Sequence, residues 1–327
     1  ILYYESSRGC PFRCAYCLSC IDRQVRALPL DRVREDLKYF IYKRVKQVKF
    51  VDRTFNYDAY RSLEIMKYLI EKDNGFTNYH LEICGELLTE EHYRLLEGVR
   101  PGLFQFEIGV QSTNPSTLNA INRRGNFEKI TEAVQRLRKI GGIHLHLDLI
   151  AGLPLEDYSR FRHSFNDVYN LQPDAFQVGF LKLLKGTPLR EDAKIYGYVY
   201  RQKAPYEVIT NSYISADGLV RLKMIADMVD LYYNRGGFKG TLNKALSASG
   251  NPFDFYEELA LWYYLKGHQR KNHKKEDLYR ILRDFLIQWN GDEENNEFDD
   301  LLEADLAQAI NPEVVKRLRK EGWALKG

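Results

Sequence analysis

The chain has 327 residues, 44% hydrophobic and 28% charged, enough for one large α/β domain with a smaller appendage and a sizeable core. Lys and Arg total 48 against 45 Asp and Glu, a net charge of +3 that gives no ground for a nucleic-acid partner. No apolar run reaches the length of a membrane span, and five cysteines confined to the first 84 residues do not make a secreted disulfide scaffold, so a reduced, cytoplasmic setting is expected.

The chain opens on "ILYYESS" (1–7), a strand pattern without an initiator Met, read as the downstream piece of something longer. An amphipathic helix follows over Leu30–Val45, then a strand "QVKFVD" (47–52) and a helix over Asp58–Glu71. The strand "YHLEIC" (79–84) precedes a helix from Thr89, and "LFQFEIGV" (103–110) precedes helices around 115–121 and 127–140. "IHLHLDLIAG" (143–152) leads into a helix over 157–170, and "AFQVGFL" (175–181) closes the series. Six strand–helix alternations imply right-handed crossovers and a parallel sheet, and are too few for a closed eight-stranded barrel. The expected fold is α/β, a partial (β/α)6 TIM-like barrel over residues 1–200, with a doubly wound sheet as the alternative.

Beyond about residue 215 the strand pattern gives way to helical periodicity, a C-terminal α-helical appendage assigned to residues 201–327. Its last helix begins at an Asn311 cap with Pro312 in the first helical position. The acidic stretch 292–305 and the basic stretch 268–275 read as solvated helix ends and a loop. The tyrosine-rich segment 196–208 follows the sixth strand, where it either covers the barrel mouth or packs a domain junction.

Three of the five cysteines, Cys10, Cys14 and Cys17, fall within "RGCPFRCAYC" directly after the first strand. Thiolates at this density hold zinc or an iron–sulfur cluster. A closed zinc site needs a fourth ligand, for which Cys20 is geometrically available; three thiolates on a four-iron cluster leave one iron without a protein ligand. Cys20 is otherwise a half-buried free thiol, and Cys84 either a small core residue or one facing substrate. Along the strands, residues two apart share a face, and function collects at the carboxyl ends in a parallel barrel. Glu82 with Cys84, Glu107 with Gly109 and Gln111, and His144 with His146 and Asp148 put polar side chains where a purely structural core would have Val, Ile or Leu. The two histidines and Asp148 suggest a metal triad, against the plainer reading of packed, hydrogen-bonded histidines.

The C-x3-C-x2-C spacing, its position after the first strand and Tyr16 before the last cysteine resemble the cluster loop of the radical S-adenosylmethionine (radical SAM) superfamily. "EIGVQSTNPSTLNAINR" and "LDLIAGLPLED" resemble strands of its oxygen-independent coproporphyrinogen oxidase branch and of cobalamin-dependent members. The resemblance implies a 4Fe–4S cluster on Cys10, Cys14 and Cys17, with S-adenosylmethionine (SAM) held by Glu82, Gln111, Arg123 and Asp148. It further implies Tyr16 and the backbone of Gly152 near the adenine, and Asp52 and Thr54 toward the methionine amino group. The implied activity is reductive cleavage of SAM to a 5′-deoxyadenosyl radical that abstracts hydrogen from a small-molecule substrate. A flavodoxin- or ferredoxin-type electron donor is implied as partner. The "SRGCPF" opening and the helical tail resemble proteins in which a cobalamin-binding domain precedes the radical core, so methyl transfer or rearrangement with cobalamin from an upstream domain is one expectation. The chain itself has no D-x-H-x-x-G cobalamin motif. Oxidative decarboxylation is the alternative, weakened because Leu18-Ser19-Cys20 departs from that branch's C-x-C arrangement. A non-catalytic metal- or haem-binding module is the third reading.

Overall fold

The computed structural model describes residues 1–22, 24–123, 125–291 and 298–320. Six strands form one parallel sheet in strict chain order: β1 (Leu2–Tyr4), β2 (Gln47–Phe50), β3 (Asn78–Ile83), β4 (Phe104–Gln111), β5 (His144–Ala151) and β6 (Ala175–Phe180). A doubly wound sheet would reverse its order at a switch point, and this one does not. The crossovers carry α1 (Leu30–Tyr42), α2 (Ala59–Glu71), α3 (Glu90–Leu96), α4 (Pro115–Ala120), α5 (Phe127–Ile140) and α6 (Tyr158–Asn170). Four of them begin at a side chain that takes up orphan amides. The Asp58 carboxylate accepts from Arg61 N, Asn126 Oδ1 from Glu128 N and Asp157 from Arg160 N, while Pro115 starts α4 behind the Asn114 cap.

Strand alternation divides the sheet into an apolar and a polar face. Phe104, Phe106, Ile108 and Val110 of β4, with Leu145, Leu147, Leu149 and Ala151 of β5, are fully buried. Gln105, Glu107, Gly109 and Gln111 alternate with them and point the other way, into the barrel. Register then decides which polar residues meet. Lys49 pairs with His80, Glu82 with Glu107, Glu107 with His146, and Gly109 with Asp148.

The chain divides into two compact units, Ile1–Ala216 and Asp217–Gly327. The residues just after position 200 belong to the first unit because they fold back onto β6. Val199–Tyr200 pairs antiparallel with Val208–Thr210, and Val208 N donates to Leu181 O. Within 196–208, Tyr198 is buried and its hydroxyl donates to Gly152 O at 3.0 Å, so this segment covers the carboxyl end of β5.

The second unit is helical: α8 (Ala216–Met228) continuing as a π-helical turn over Val229–Asn234, α9 (Lys239–Ser249), α10 (Pro252–Leu265), α11 (Lys275–Asn290), α12 (Asp299–Ala309) and α13 (Pro312–Lys320). The short helix α7 (Pro188–Glu191) belongs to the first unit. Asn311 caps α13 as expected, its Oδ1 accepting from Glu313 N. The acidic stretch departs from expectation. Residues 292–297 lie outside the described residues, but Asp299 and Asp305 are buried, not solvated. Asp299 takes both ends of the Arg283 guanidinium at 2.8 and 2.9 Å, and Asp305 accepts from Gly240 N, Thr241 N and Thr241 Oγ1 at the start of α9. A buried carboxylate at these positions is tolerable only because every donor it meets is aimed at it.

Candidate cofactor site at the carboxyl ends of the strands

The cysteine loop leaves β1 through Ser7–Arg8, which pairs antiparallel with Arg26–Ala27 on the return. Gly9 makes the first turn at φ +102°, and a Cβ there would sit 2.3 Å from Gln24 O, so no other residue fits. Inside the loop, Cys17 N donates to Cys14 O and Cys20 N to Cys17 O. Main-chain bonds fasten the loop to distant parts of the unit: Ala15 N to Ile121 O at 2.7 Å, and Leu189 N of α7 to Ala15 O at 3.0 Å.

Cys10, Cys14 and Cys17 line one wall of a cavity of about 180 Å³ at the carboxyl ends of the strands. Tyr16, Thr54, Glu82, Gln111, Arg123 and Asp148 line the rest of it, together with Phe12, Ser19, Arg53, Ile83, Cys84, Glu86, Glu107 and Gly109. Cys20 is not among the lining residues, whereas Cys84 is. Thr54 Oγ1 lies 3.3 Å from Cys10 Sγ. Arg123 Nη1 reaches Cys14 Sγ at 3.8 Å, and its Nη2 donates to Gly109 O. Burial pushes the Cys14 thiol up and Arg123 opposes this, so the guanidinium stands where it would support a thiolate. Burial likewise raises the Tyr16 phenol.

Gln111 is the terminal residue of β4 and adopts φ +72°. The ladder to β5 slips there: Gly109 faces Asp148, yet Gln111 faces Leu149, leaving Val110 as the extra residue of a bulge. This turns the Gln111 side chain back across Gly109, where an added Cβ would stand 2.1 Å from Gln111 Nε2. A left-handed non-glycine residue at a strand end is the kind of local strain that clusters at functional sites.

Below the mouth, the barrel interior carries a layer of charges. Glu107 Oε2 accepts from His80 Nε2 at 2.8 Å and from Lys49 Nζ at 3.2 Å. The His80 bond, with the nearby Lys49 and His146 charges, brings the Glu107 carboxyl down to about 2 despite burial. Glu82 is pushed up to about 7, first by burial and then by the Glu107 charge beside it. His146 Nε2 stands at an ion-pair distance of 3.1 Å from Asp148 Oδ1, which is otherwise a buried acceptor without a hydrogen-bond partner among the described residues. Burial raises the Asp148 carboxyl; for His146 burial lowers the imidazole, but the Asp148 and Glu107 charges outweigh it. Glu107, His146 and Asp148 converge closely enough to hold a cation. Lys49 already supplies positive charge to Glu107 and His80 a hydrogen bond, so the carboxylate is compensated without one. His144 is exposed at the amino end of β5 and takes no part in a triad.

Two expected residues stand elsewhere. Asp52 is buried away from the cavity lining, with Oδ1 accepting from Ser6 N at 2.7 Å and Oδ2 from the Ser6 and Ser7 hydroxyls at 2.6 Å each. Gly152 has φ +89°, but its carbonyl accepts from Tyr198 Oη and Asn211 Nδ2, both at 3.0 Å, and it does not line the cavity. Lys49, His80 and Glu107 were not anticipated as a group. Their signal was present: each has the strand phase of Glu82, but strand phase without register does not say which neighbours meet.

Three thiols beside a polar cavity at the open end of a six-stranded parallel barrel define a radical SAM core. The superfamily matches residues 4–168, just over half of the chain, and the chain belongs to the radical SAM superfamily, whose enzymes use a 4Fe–4S cluster and SAM. A second family, described as a protein of unknown function (DUF4080), matches residues 194–322. Among curated relatives, the 2-(S-pantetheinyl)-carbapenam-3-carboxylate methyltransferase of Streptantibioticus cattleyicolor is 26% identical over 206 residues, covering 61% of this chain and 30% of that protein. The ribosomal protein uS12 methylthiotransferase RimO of Carboxydothermus hydrogenoformans is 26% identical over 212 residues, 60% of this chain and 46% of that protein. The chain thus spans less than half the length of these relatives. Among solved structures, the cobalamin-dependent SAM radical enzyme OxsB with aqua-cobalamin bound covers 98% of this chain and 58% of its own, with a TM-score of 0.56 at 14% identity. The methyltransferase TsrM from Kitasatospora setae covers 63% and 43%, with a TM-score of 0.53 at 16% identity. Both likenesses concern the fold.

Proposed function

We propose that this chain is the radical-generating part of an enzyme that binds a 4Fe–4S cluster on Cys10, Cys14 and Cys17 and SAM in the adjoining cavity, and abstracts hydrogen from a small organic substrate. The single observation that carries this reading is that the three thiols share one cavity with Glu82, Gln111, Arg123 and Asp148. The residues fit the cofactors chemically. Three cysteines leave one iron of a cubane free for a small-molecule ligand. The unbonded Asp148 oxygen and the Glu82 carboxyl offer acceptors to a ligand carrying an ammonium and a sulfonium. When bound, the cluster supplies the electron that breaks the S–C5′ bond of SAM to give the 5′-deoxyadenosyl radical.

The chain's own residues do the rest by position and charge. Arg123 offsets negative charge at Cys14 while its second arm holds the Gly109 carbonyl. Gln111, turned inward by the bulge, presents an amide over Gly109. Phe12 and Ile83 contribute apolar wall to the cavity. The finer reading is cobalamin-dependent methyl transfer or rearrangement, with cobalamin carried by a further domain and electrons from a flavodoxin- or ferredoxin-type protein. It is supported by the similarity to the carbapenam methyltransferase and to the OxsB fold.

The test is anaerobic reconstitution with iron and sulfide, then reduction in the presence of SAM. The expected products are 5′-deoxyadenosine and methionine, lost when Cys10, Cys14 and Cys17 are replaced by Ala. Appearance of S-adenosylhomocysteine alongside them, when cobalamin and a methyl acceptor are supplied, marks methyl transfer. Uptake of one zinc and no sulfide overturns the proposal.

A further inference from the structure

The cysteine loop has a neck, and two buried charges close it. Its outgoing arm passes Ser6 and Ser7; its returning arm reaches Leu28, whose N–H donates to Ser6 O at 2.9 Å. Asp52 takes the Ser6 N–H and both serine hydroxyls. Arg61, from the first turn of α2, donates through Nη2 to Ser6 O at 3.0 Å and through Nη1 to Leu28 O at 2.8 Å. One guanidinium therefore spans the two arms, and one carboxylate holds the outgoing arm from the opposite side. Asp52 is 1% exposed and Arg61 8%.

We infer that Asp52 and Arg61 are positioning residues that set the conformation of the cluster loop, acting through Ser6, Ser7 and Leu28 without touching the cofactor. The inference rests on the assignment of Cys10, Cys14 and Cys17 to a cluster. Two buried charges are costly unless each is saturated with partners, and here nearly every partner belongs to the loop's ends. Asp52 also precedes Arg53 and Thr54, and Thr54 touches Cys10 from the cavity side. The same carboxylate thus ties the tip of β2 to the loop it faces, coupling the first cysteine to the strand that lines the cofactor cavity. Groups that orient metal ligands change metal retention by tens of fold when removed, and Asp52 and Arg61 act one step further out, through the backbone that leads to Cys10.

The experiment compares wild type with Asp52→Asn, Arg61→Ala and Arg61→Lys, all reconstituted anaerobically. Asn keeps an acceptor for Ser6 N but sets an amide against the two hydroxyls. Lys keeps the charge yet reaches only one of the two carbonyls. The expected result is cluster loss to a ferrous chelator about tenfold faster in Asp52→Asn and Arg61→Ala, and intermediate in Arg61→Lys. An altered EPR line shape of the reduced cluster and a SAM dissociation constant within a few-fold of wild type are expected with it. In the metal-free protein, hydrogen exchange should accelerate within residues 6–28 and not across the remaining strands. Unchanged chelation and EPR overturn the inference. So does a weakened SAM affinity with a normal cluster, which would make Asp52 a cofactor ligand, and so does accelerated exchange throughout the unit, which would make the pair generally structural. A wild type that takes up no sulfide defeats the cluster assignment instead, and the exchange measurement still decides whether the neck is a clamp.

Discussion

Replacing Glu82 with Gln tests whether the acidic floor of the cavity serves a cationic ligand. The wild-type carboxyl is pushed up to about 7 by burial and by Glu107, with which it is paired in register. On that basis about a tenth of it is ionised at pH 6 and about nine tenths at pH 8. If the carboxylate form binds SAM, affinity in wild type rises as pH rises through 7, approaching tenfold between pH 6 and 8, or about 1.4 kcal/mol. Glu82→Gln removes this component: its affinity resembles wild type at pH 6 and falls short of it by nearly tenfold at pH 8. The assay is SAM titration of the reconstituted protein, followed by the change in cluster absorption, at fixed ionic strength. Comparing the two proteins at each pH cancels the ligand's own titration. Parallel pH profiles, or a larger deficit at pH 6 than at pH 8, refute the reasoning.

Gly109→Ala should displace the Gln111 amide, because the new methyl occupies the space of its Nε2, and its three nearest neighbours are all side-chain atoms of Gln111 and Arg123. SAM affinity then falls about tenfold or more with the melting temperature nearly unchanged, checked by titration and calorimetry. Glu156 is 1% exposed, its Oε1 accepts from the Ser112 and Ser164 hydroxyls, and burial pushes it up to about 7. Its raised pKa means stability is greatest below the unfolded value and falls as pH rises toward 7, by up to about 3 kcal/mol. Glu156→Gln should flatten that decline in urea unfolding at pH 5 to 8 and be the more stable protein at pH 8. Asp305→Ala strips three hydrogen bonds from the start of α9 and should cost about 1–3 kcal/mol of the second unit's stability in denaturant melts.

The sequence carried the architecture because each strand and helix announces itself locally. Period-two runs and cap residues such as Asp58 and Asn126 fall where the elements begin. The cysteine spacing was legible for the same reason, since three ligands within eight residues need no long-range knowledge. Asp52 and Gly152 were harder. Both sit at strand ends with the right chemistry, but Ser6 and Ser7 claim one and Tyr198 and Asn211 the other, partners separated by more than forty residues in each case. The polar layer of Lys49, His80, Glu107 and His146 needed strand register, and register follows from packing that no single strand encodes. The bulge at Val110 was likewise invisible, because the alternation of β4 reads as regular through Gln111.

The bond from Leu189 N to Ala15 O has a temporal meaning. During synthesis the cysteines leave the ribosome well before Leu189, the last segment to fasten their loop. Until then the loop is held at its neck and at Ile121 but lacks its last fastening, and a nascent chain is better served by meeting its iron after the sixth strand has joined the sheet than before.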